Sequence, residues 1–107
     1  MSRKIYTDAL TRLTKGTDAG LYRLIPKRVE VVRSEEELIE ALASCAAAGE
    51  PVTFKAGGTS LSGQTITDSV LLEIHPDFGT SRIEQEGRLA TFPCGITGGE
   101  ANRLLKP

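Results

Sequence analysis

Pro51-Val52-Thr53-Phe54-Lys55 runs without a break into Ala56-Gly57-Gly58-Thr59-Ser60-Leu61-Ser62-Gly63-Gln64. The first part is opened by proline and is short, β-branched and aromatic, which is the pattern of a strand. The second part holds three glycines, two serines and one threonine within nine residues, and no charged side chain. Glycine permits positive φ and leaves backbone N–H groups uncovered, so successive amides can converge on an anion while hydroxyls add donors. A strand that delivers such a loop delivers a phosphate-binding turn, and pyrophosphate is its natural guest. The same composition also suits a plain flexible connection between two strands.

Upstream of this stretch, Pro26 pushes its predecessor toward extended geometry, and Arg28 to Val32 carries three valines, which predicts a strand. Ser34 with Glu37 makes a capping box, Glu35 and Glu36 suit the positive end of a helix, and Leu38, Leu42, Cys45 and Ala46 fall on one face. That helix ends near Gly49. Strand, helix and strand make a βαβ unit with parallel strands and a right-handed crossover. Nearer the N-terminus, Ile5, Ala9, Leu10 and Leu13 recur at helical spacing before Gly16, and Thr17 to Gly20 reads as a turn.

Downstream, the chain from Ile66 reads as extended, and Val70 to Ile74 is an apolar run suited to a strand covered on both faces. Arg82 to Glu86 and Leu89 to Phe92 flank Gly87-Arg88 as a small hairpin, and a helix begins at Thr97 or Gly98, with Pro107 reached after about two turns. The expected fold class is α+β: a βαβ unit in a small, mainly parallel sheet flanked by helices, plus a hairpin.

A chain of 107 residues, 39% hydrophobic and 25% charged, has the size and composition of one globular domain. Its 13 basic and 14 acidic residues form no block that could track phosphate backbones, and its five aromatics are scattered, so nucleic acid is not an expected partner. The basic start Met1-Ser2-Arg3-Lys4 leads into no apolar run, so a cytoplasmic chain is expected, and no stretch is long and apolar enough for a transmembrane helix. Cys45 and Cys94 stand far apart and outside any Cys-x-x-Cys pair, which argues against zinc and against a disulfide framework. No metal is expected.

Three better-known motifs fail against the loop. In the nucleotide P-loop pattern, Gly58, Gly63 and Thr65 fit, but Gln64 replaces the phosphate-neutralising lysine. The dinucleotide fingerprint Gly-x-Gly-x-x-Gly puts Ser60 where its second glycine belongs, and the hydrolase elbow Gly-x-Ser-x-Gly puts Ser62 where its last glycine belongs. His75, before Pro76 and Asp77, reads as a turn residue, and Cys94, between Pro93 and Gly95, has no base or cation beside it in sequence to activate a thiolate. No catalytic residue is expected.

Lys55 to Gln64, after Pro51 to Phe54, resembles the pyrophosphate loop of FAD-linked oxidases of the vanillyl-alcohol oxidase and p-cresol methylhydroxylase type. Thr59-Ser60-Leu61-Ser62-Gly63-Gln64 is its most specific part, and Asp18 to Pro26 and Ser34 to Glu37 are similar to the D-lactate and glycolate dehydrogenase branch. Pro93-Cys94-Gly95-Ile96-Thr97 looks like the later segment that approaches the flavin in that family. There are departures: Lys55 stands where arginine is usual, Ala56 where glycine is usual, and Cys94 intrudes into a Pro-Gly pair.

The resemblance implies the first lobe of a p-cresol methylhydroxylase-type FAD-binding domain over residues 1–107, with a second lobe and a substrate cap as partners beyond Pro107. It implies FAD as cofactor, contacted by Ala56, Gly57, Gly58, Thr59, Ser60, Leu61, Ser62, Gly63 and Gln64 and, nearer the flavin, by Pro93, Cys94 and Gly95. Relatives that link FAD covalently carry histidine at the position of Thr59, so the implied binding is non-covalent. The implied function is the FAD-binding portion of a flavin-dependent 2-hydroxy-acid dehydrogenase, inactive alone. The alternative is a non-catalytic nucleotide-binding or interaction module. An uncovered lobe face would favour self-association.

Overall fold

Val29, Val32, Val70, Leu71 and Leu72 are wholly withdrawn from solvent, and the two strands that carry them form the centre of a four-stranded sheet. The computed structural model describes residues 3–106. In chain order the elements are β1 (Lys4–Tyr6), α1 (Ala9–Lys15), β2 (Arg28–Val32), α2 (Glu35–Ala48), β3 (Val52–Lys55), β4 (Val70–Ile74), β5 (Arg82–Glu84), a short 3-10 turn (Gln85–Gly87), β6 (Leu89–Thr91) and α3 (Gly98–Leu105).

The sheet runs β1-β2-β4-β3, with β1 antiparallel to β2 and the other pairs parallel. Arg28 lies opposite Val70 and Val32 opposite Ile74, while Val52 lies opposite Val70 and Lys55 opposite Glu73. The two strands of the expected βαβ unit are parallel but not neighbours, because β4 is inserted between them. β4 takes the centre because Val70, Leu71 and Leu72 are apolar toward both faces, which a central position buries and an edge would not.

On one face α2 packs against Val32, Val70, Leu72 and Ile74 through Ala41 and Cys45, with Leu38, Val52 and Phe78 partly buried around them. Ser34 caps α2 by accepting from the Glu37 amide at 3.2 Å, and the Glu37 carboxylate accepts from the Arg33 amide at 3.0 Å, so the capping box forms one residue wider than its usual reach. Gly49 ends the helix at φ 67°, in the left-handed region where glycine is favoured. The buried face is therefore Glu37, Ala41 and Cys45 at strict fourth positions, with Leu42 and Ala46 exposed, which corrects the expected apolar stripe. Small Ala41 at the contact lets the helix sit close to the sheet.

Glu30 is fully buried on this same face, between apolar neighbours. A lone carboxylate there would be very costly, and two guanidinium groups meet it: Arg3 Nε donates to Oε1 at 2.5 Å and Arg28 Nε to Oε2 at 2.6 Å. Arg28 also grips Glu50 at 2.7 and 2.9 Å, and Lys27 reaches Glu50 at 2.7 Å. Cys45 lies under the Arg28 guanidinium, its Sγ accepting at 3.6 Å, and burial pushes its thiol pKa up.

Other boundaries differ from expectation. Ile5 belongs to β1, and α1 starts only at Ala9, where the Asp8 carboxylate accepts from the Thr11 amide at 2.9 Å and fixes the helix start. The apolar spacing from Ile5 to Ala9 is shared by a strand followed by a cap, and edge pairing with β2 decides it. Ile66 and Thr67 are irregular and Asp68 and Ser69 form a bend, rather than a strand. The hairpin turns over Gln85-Glu86-Gly87-Arg88, with Gln85, Glu86 and Gly87 all at positive φ, so the loop is wider than Gly87-Arg88. Among the described residues no helix is long and apolar enough to cross a membrane, and no cluster of three metal-ligating side chains occurs.

Candidate functional site

Because β3 and β4 are parallel, the glycine-rich loop leaves the sheet at the C-terminal ends of the strands, where ligands of open α/β sheets bind. Gly58 at φ 68° and Gly63 at φ 80° make its two reversals, and both lie in the left-handed region. Beneath it, Lys55 turns away from the ligand side: its Nζ donates to the carbonyls of Thr17 at 2.7 Å and Lys15 at 3.1 Å. Burial lowers the Lys55 pKa, helped by the neighbouring Lys15 charge and opposed by Glu73 and Asp18.

The far half of the loop is held from behind by the turn after α1. The Asp18 carboxylate accepts from the Gly20 amide at 2.7 Å, the Ser60 hydroxyl at 2.7 Å and the Gly63 amide at 3.1 Å. The Ala19 amide donates to the Ser60 carbonyl at 3.0 Å. The Ser60 hydroxyl bond, then the backbone amides and the Lys55 charge, hold the Asp18 pKa below the ordinary carboxylate range. The Ser62 amide is taken by the Gln64 side chain at 3.1 Å. Among the described residues, the amides of Gly57, Gly58 and Thr59 have no acceptor within the chain.

Across from these amides, Pro93 to Ile96 forms a turn closed by the Ile96 amide on the Pro93 carbonyl at 3.1 Å, and α3 begins. Thr97 caps α3 by accepting from the Glu100 amide at 3.2 Å. A cavity of about 440 Å³ lies between the two segments, lined by Ala56, Gly57, Thr59, Cys94, Gly95, Ile96, Thr97 and Gly98. A second cavity, of about 460 Å³, shares Ala56, Gly57, Gly95 and Thr97 with it and continues the groove toward Lys4, Tyr6, Lys15 and Arg33. Lys15 is paired with Glu73 at 2.6 Å in that groove.

The expected contact set is thus brought together in part. Ala56, Gly57, Thr59, Cys94 and Gly95 line one cavity. Ser62 and Gly63 open instead onto a separate hollow beside Tyr22, Arg23, Leu24 and Ile66. Pro93 lines a neighbouring recess against Gly79 and Leu104, and Leu61 projects into solvent at 71% exposure. Residues the sequence reading missed are Asp18 as an anchor, Lys55 as a buried prop, and Lys4, Tyr6 and Lys15 as groove lining. Only Asp18-Ala19-Gly20 carried a local signal, an Asp two residues before Gly that can close its own turn. His75 serves its turn, with Nδ1 accepting from the Asp77 amide at 3.0 Å.

Free amides on one wall and the start of a capped helix on the other make a donor set for an anion with more than one phosphoryl oxygen. A family model described as an FAD binding domain matches residues 26–107. Two D-2-hydroxyglutarate dehydrogenases are similar: that of Pantoea ananatis (strain AJ13355) is 30% identical over 105 residues, covering 94% of this chain and 10% of that protein. The one from Escherichia coli (strain K12) is 29% identical over 116 residues, with the same shares of each. The crystal structure of aclacinomycin oxidoreductase is 21% identical with a TM-score of 0.73, covering 97% of this chain and 22% of that one, and shows a shared fold. The chain spans about a tenth of the length of the dehydrogenases it matches. The match from Pro26 onward takes in the sheet centre, the glycine-rich loop and the turn that faces it, and the chain belongs to the FAD binding domain family.

Proposed function

We propose that this chain is the N-terminal FAD-binding lobe, residues 1–107, of a cytoplasmic flavin-dependent 2-hydroxy-acid dehydrogenase, completed by a second lobe and a substrate cap. The observation that carries the reading is the groove that Gly57 and Thr59 line opposite the Cys94–Gly98 segment, in a stretch where the amides of Gly57, Gly58 and Thr59 are free. In this reading these amides, the Thr59 hydroxyl and the first amides of α3 hold the pyrophosphate, while Cys94 and Gly95 border the flavin side. Bound FAD would supply the acceptor for a hydride from the hydroxy acid. Thr59 offers no ring nitrogen for a covalent link, so the cofactor is held by non-covalent contacts alone.

Several features support this reading. The relatives are named for a D-2-hydroxy acid, and the chain covers about a tenth of their length, which leaves room for further lobes. On the groove wall the His75 Nδ1 accepts from its own turn and Glu73 is paired with Lys15, and in this reading the acid–base groups come from the second lobe and the cap. Cys45 and Cys94 are free thiols, as suits a reducing compartment.

Titration of the purified chain with FAD, followed by flavin fluorescence with ADP as competitor, tests the proposal. Saturable binding displaced by ADP is the expected outcome, followed by recovery of 2-hydroxy-acid oxidation when the missing lobe is supplied. ADP binding without a gain from the flavin half would favour a simpler nucleotide-binding module, and no binding of either ligand would remove the cofactor role from this chain.

A further inference from the structure

Ser60 and Gly63 stand in the loop as donors an anion would use, yet both already donate to a carboxylate of the chain itself. An incoming pyrophosphate cannot share them with Asp18, because two anions on the same donors repel and each hydrogen can serve only one well. The arrangement is built from several parts. Gly20 lies so close to the loop that a Cβ would come 2.5 Å from the Leu61 carbonyl oxygen. The Ala19 amide ties the Ser60 carbonyl, and the Ser60 hydroxyl lies 3.2 Å from that of Thr65. Lys55 fixes the other end of the same segment through Lys15 and Thr17. The turn after α1 and the far half of the loop are therefore one unit, and the near half stays open.

We propose that Asp18 is a positioning residue of the flavin site, which engages Ser60 and Gly63 and so commits the amides of Gly57, Gly58 and Thr59 to the dinucleotide. This rests on the groove being the FAD site. Asp18 lines neither cavity of the groove; it acts by holding the loop in the shape that leaves the near amides free for a ligand, so less ordering is left for binding.

The test compares the wild-type chain with Asp18→Ala and Asp18→Asn by amide hydrogen exchange without ligand and by FAD and ADP titration. In Asp18→Ala the Gly63 amide should lose its protection, and affinity for both ligands should fall by about tenfold or more, as expected for losing charge-assisted hydrogen bonds. Asp18→Asn, which keeps one acceptor oxygen, should fall between. The core amides of β2 and β4 should keep their protection, which a general loss of structure would not allow. Unchanged Gly63 exchange, or freed Gly63 exchange with unchanged affinity, would overturn the role of Asp18 while leaving the flavin site standing. A wild-type chain that binds neither ligand would overturn the flavin site and the proposal together. Should Asp18→Ala not fold, Asp18→Asn carries the same comparison.

Discussion

Gly20 has room for a hydrogen and nothing larger, since the atom it would collide with is a backbone oxygen that cannot swing aside. Gly20→Ala should therefore destabilise the chain by roughly 1–3 kcal/mol through forced backbone shifts; an unchanged urea midpoint would sink that expectation. Glu50 makes a different kind of prediction. Its bonds to the Arg28 and then the Lys27 side chain hold its pKa down at about 2, against an ordinary 4.5. The unfolded chain thus takes up the proton first as pH falls, so the stabilisation is present above about pH 4.5 and is lost toward pH 2. The melting temperature should drop across that window, and Glu50→Gln should flatten this part of the profile. At this scale the loop's glycines were legible because their need for positive φ is local. The duty of Asp18 toward the loop was not, because the Ser60 and Gly63 donors lie more than 40 residues away in the chain.

The elements depend on caps that can be removed singly. Ser34→Ala should cost about 1 kcal/mol by leaving the Glu37 amide unpaired at the start of α2. Thr97→Ala should have a local effect: α3 has only eight residues, so loss of its cap should fray it, seen as faster exchange of its amides with little change in global stability. Equal protection in the variant would count against the cap. Helix α2 and strands β2, β3 and β4 were readable from sequence because a capping box, valine runs and an apolar run are written in neighbouring residues. The face that α2 buries was not readable. Leu38 and Leu42 satisfy a helical stripe as well as Glu37, Ala41 and Cys45 do, and only the distance to the sheet selects the smaller side chains. Burial of Glu30 escaped the reading too, since the guanidinium of Arg3 that meets it comes from 27 residues earlier, just before β1.

As a whole the chain is elongated, 46 by 33 by 20 Å, with a radius of gyration of 15.5 Å against the roughly 13 Å usual for a compact domain of this length. Leu10 and Leu61 are each 71% exposed, Ile39 is 60% exposed, and Leu21 is fully exposed. So much uncovered apolar surface predicts association of the isolated chain with itself at high concentration. Sedimentation at increasing concentration should show a rising average mass, and a constant monomer mass would contradict it. The α+β class and the parallel pairing could be inferred from element order, whereas the strand order could not, since nothing between residues 28 and 55 announces that a later strand will enter between its two strands.

That insertion has a consequence during synthesis. When the ribosome has released Lys55, β2 and β3 exist without the neighbour that each requires, and the glycine-rich loop is extruded before Val70–Ile74 can join them. Closure of the sheet is then a single late event that must bridge long loops at once, a slow kind of contact to make. Until it happens there is no groove, so cofactor capture has to wait for the fourth strand, and a nascent chain stalled before it would carry an unfinished sheet edge open to any other chain nearby.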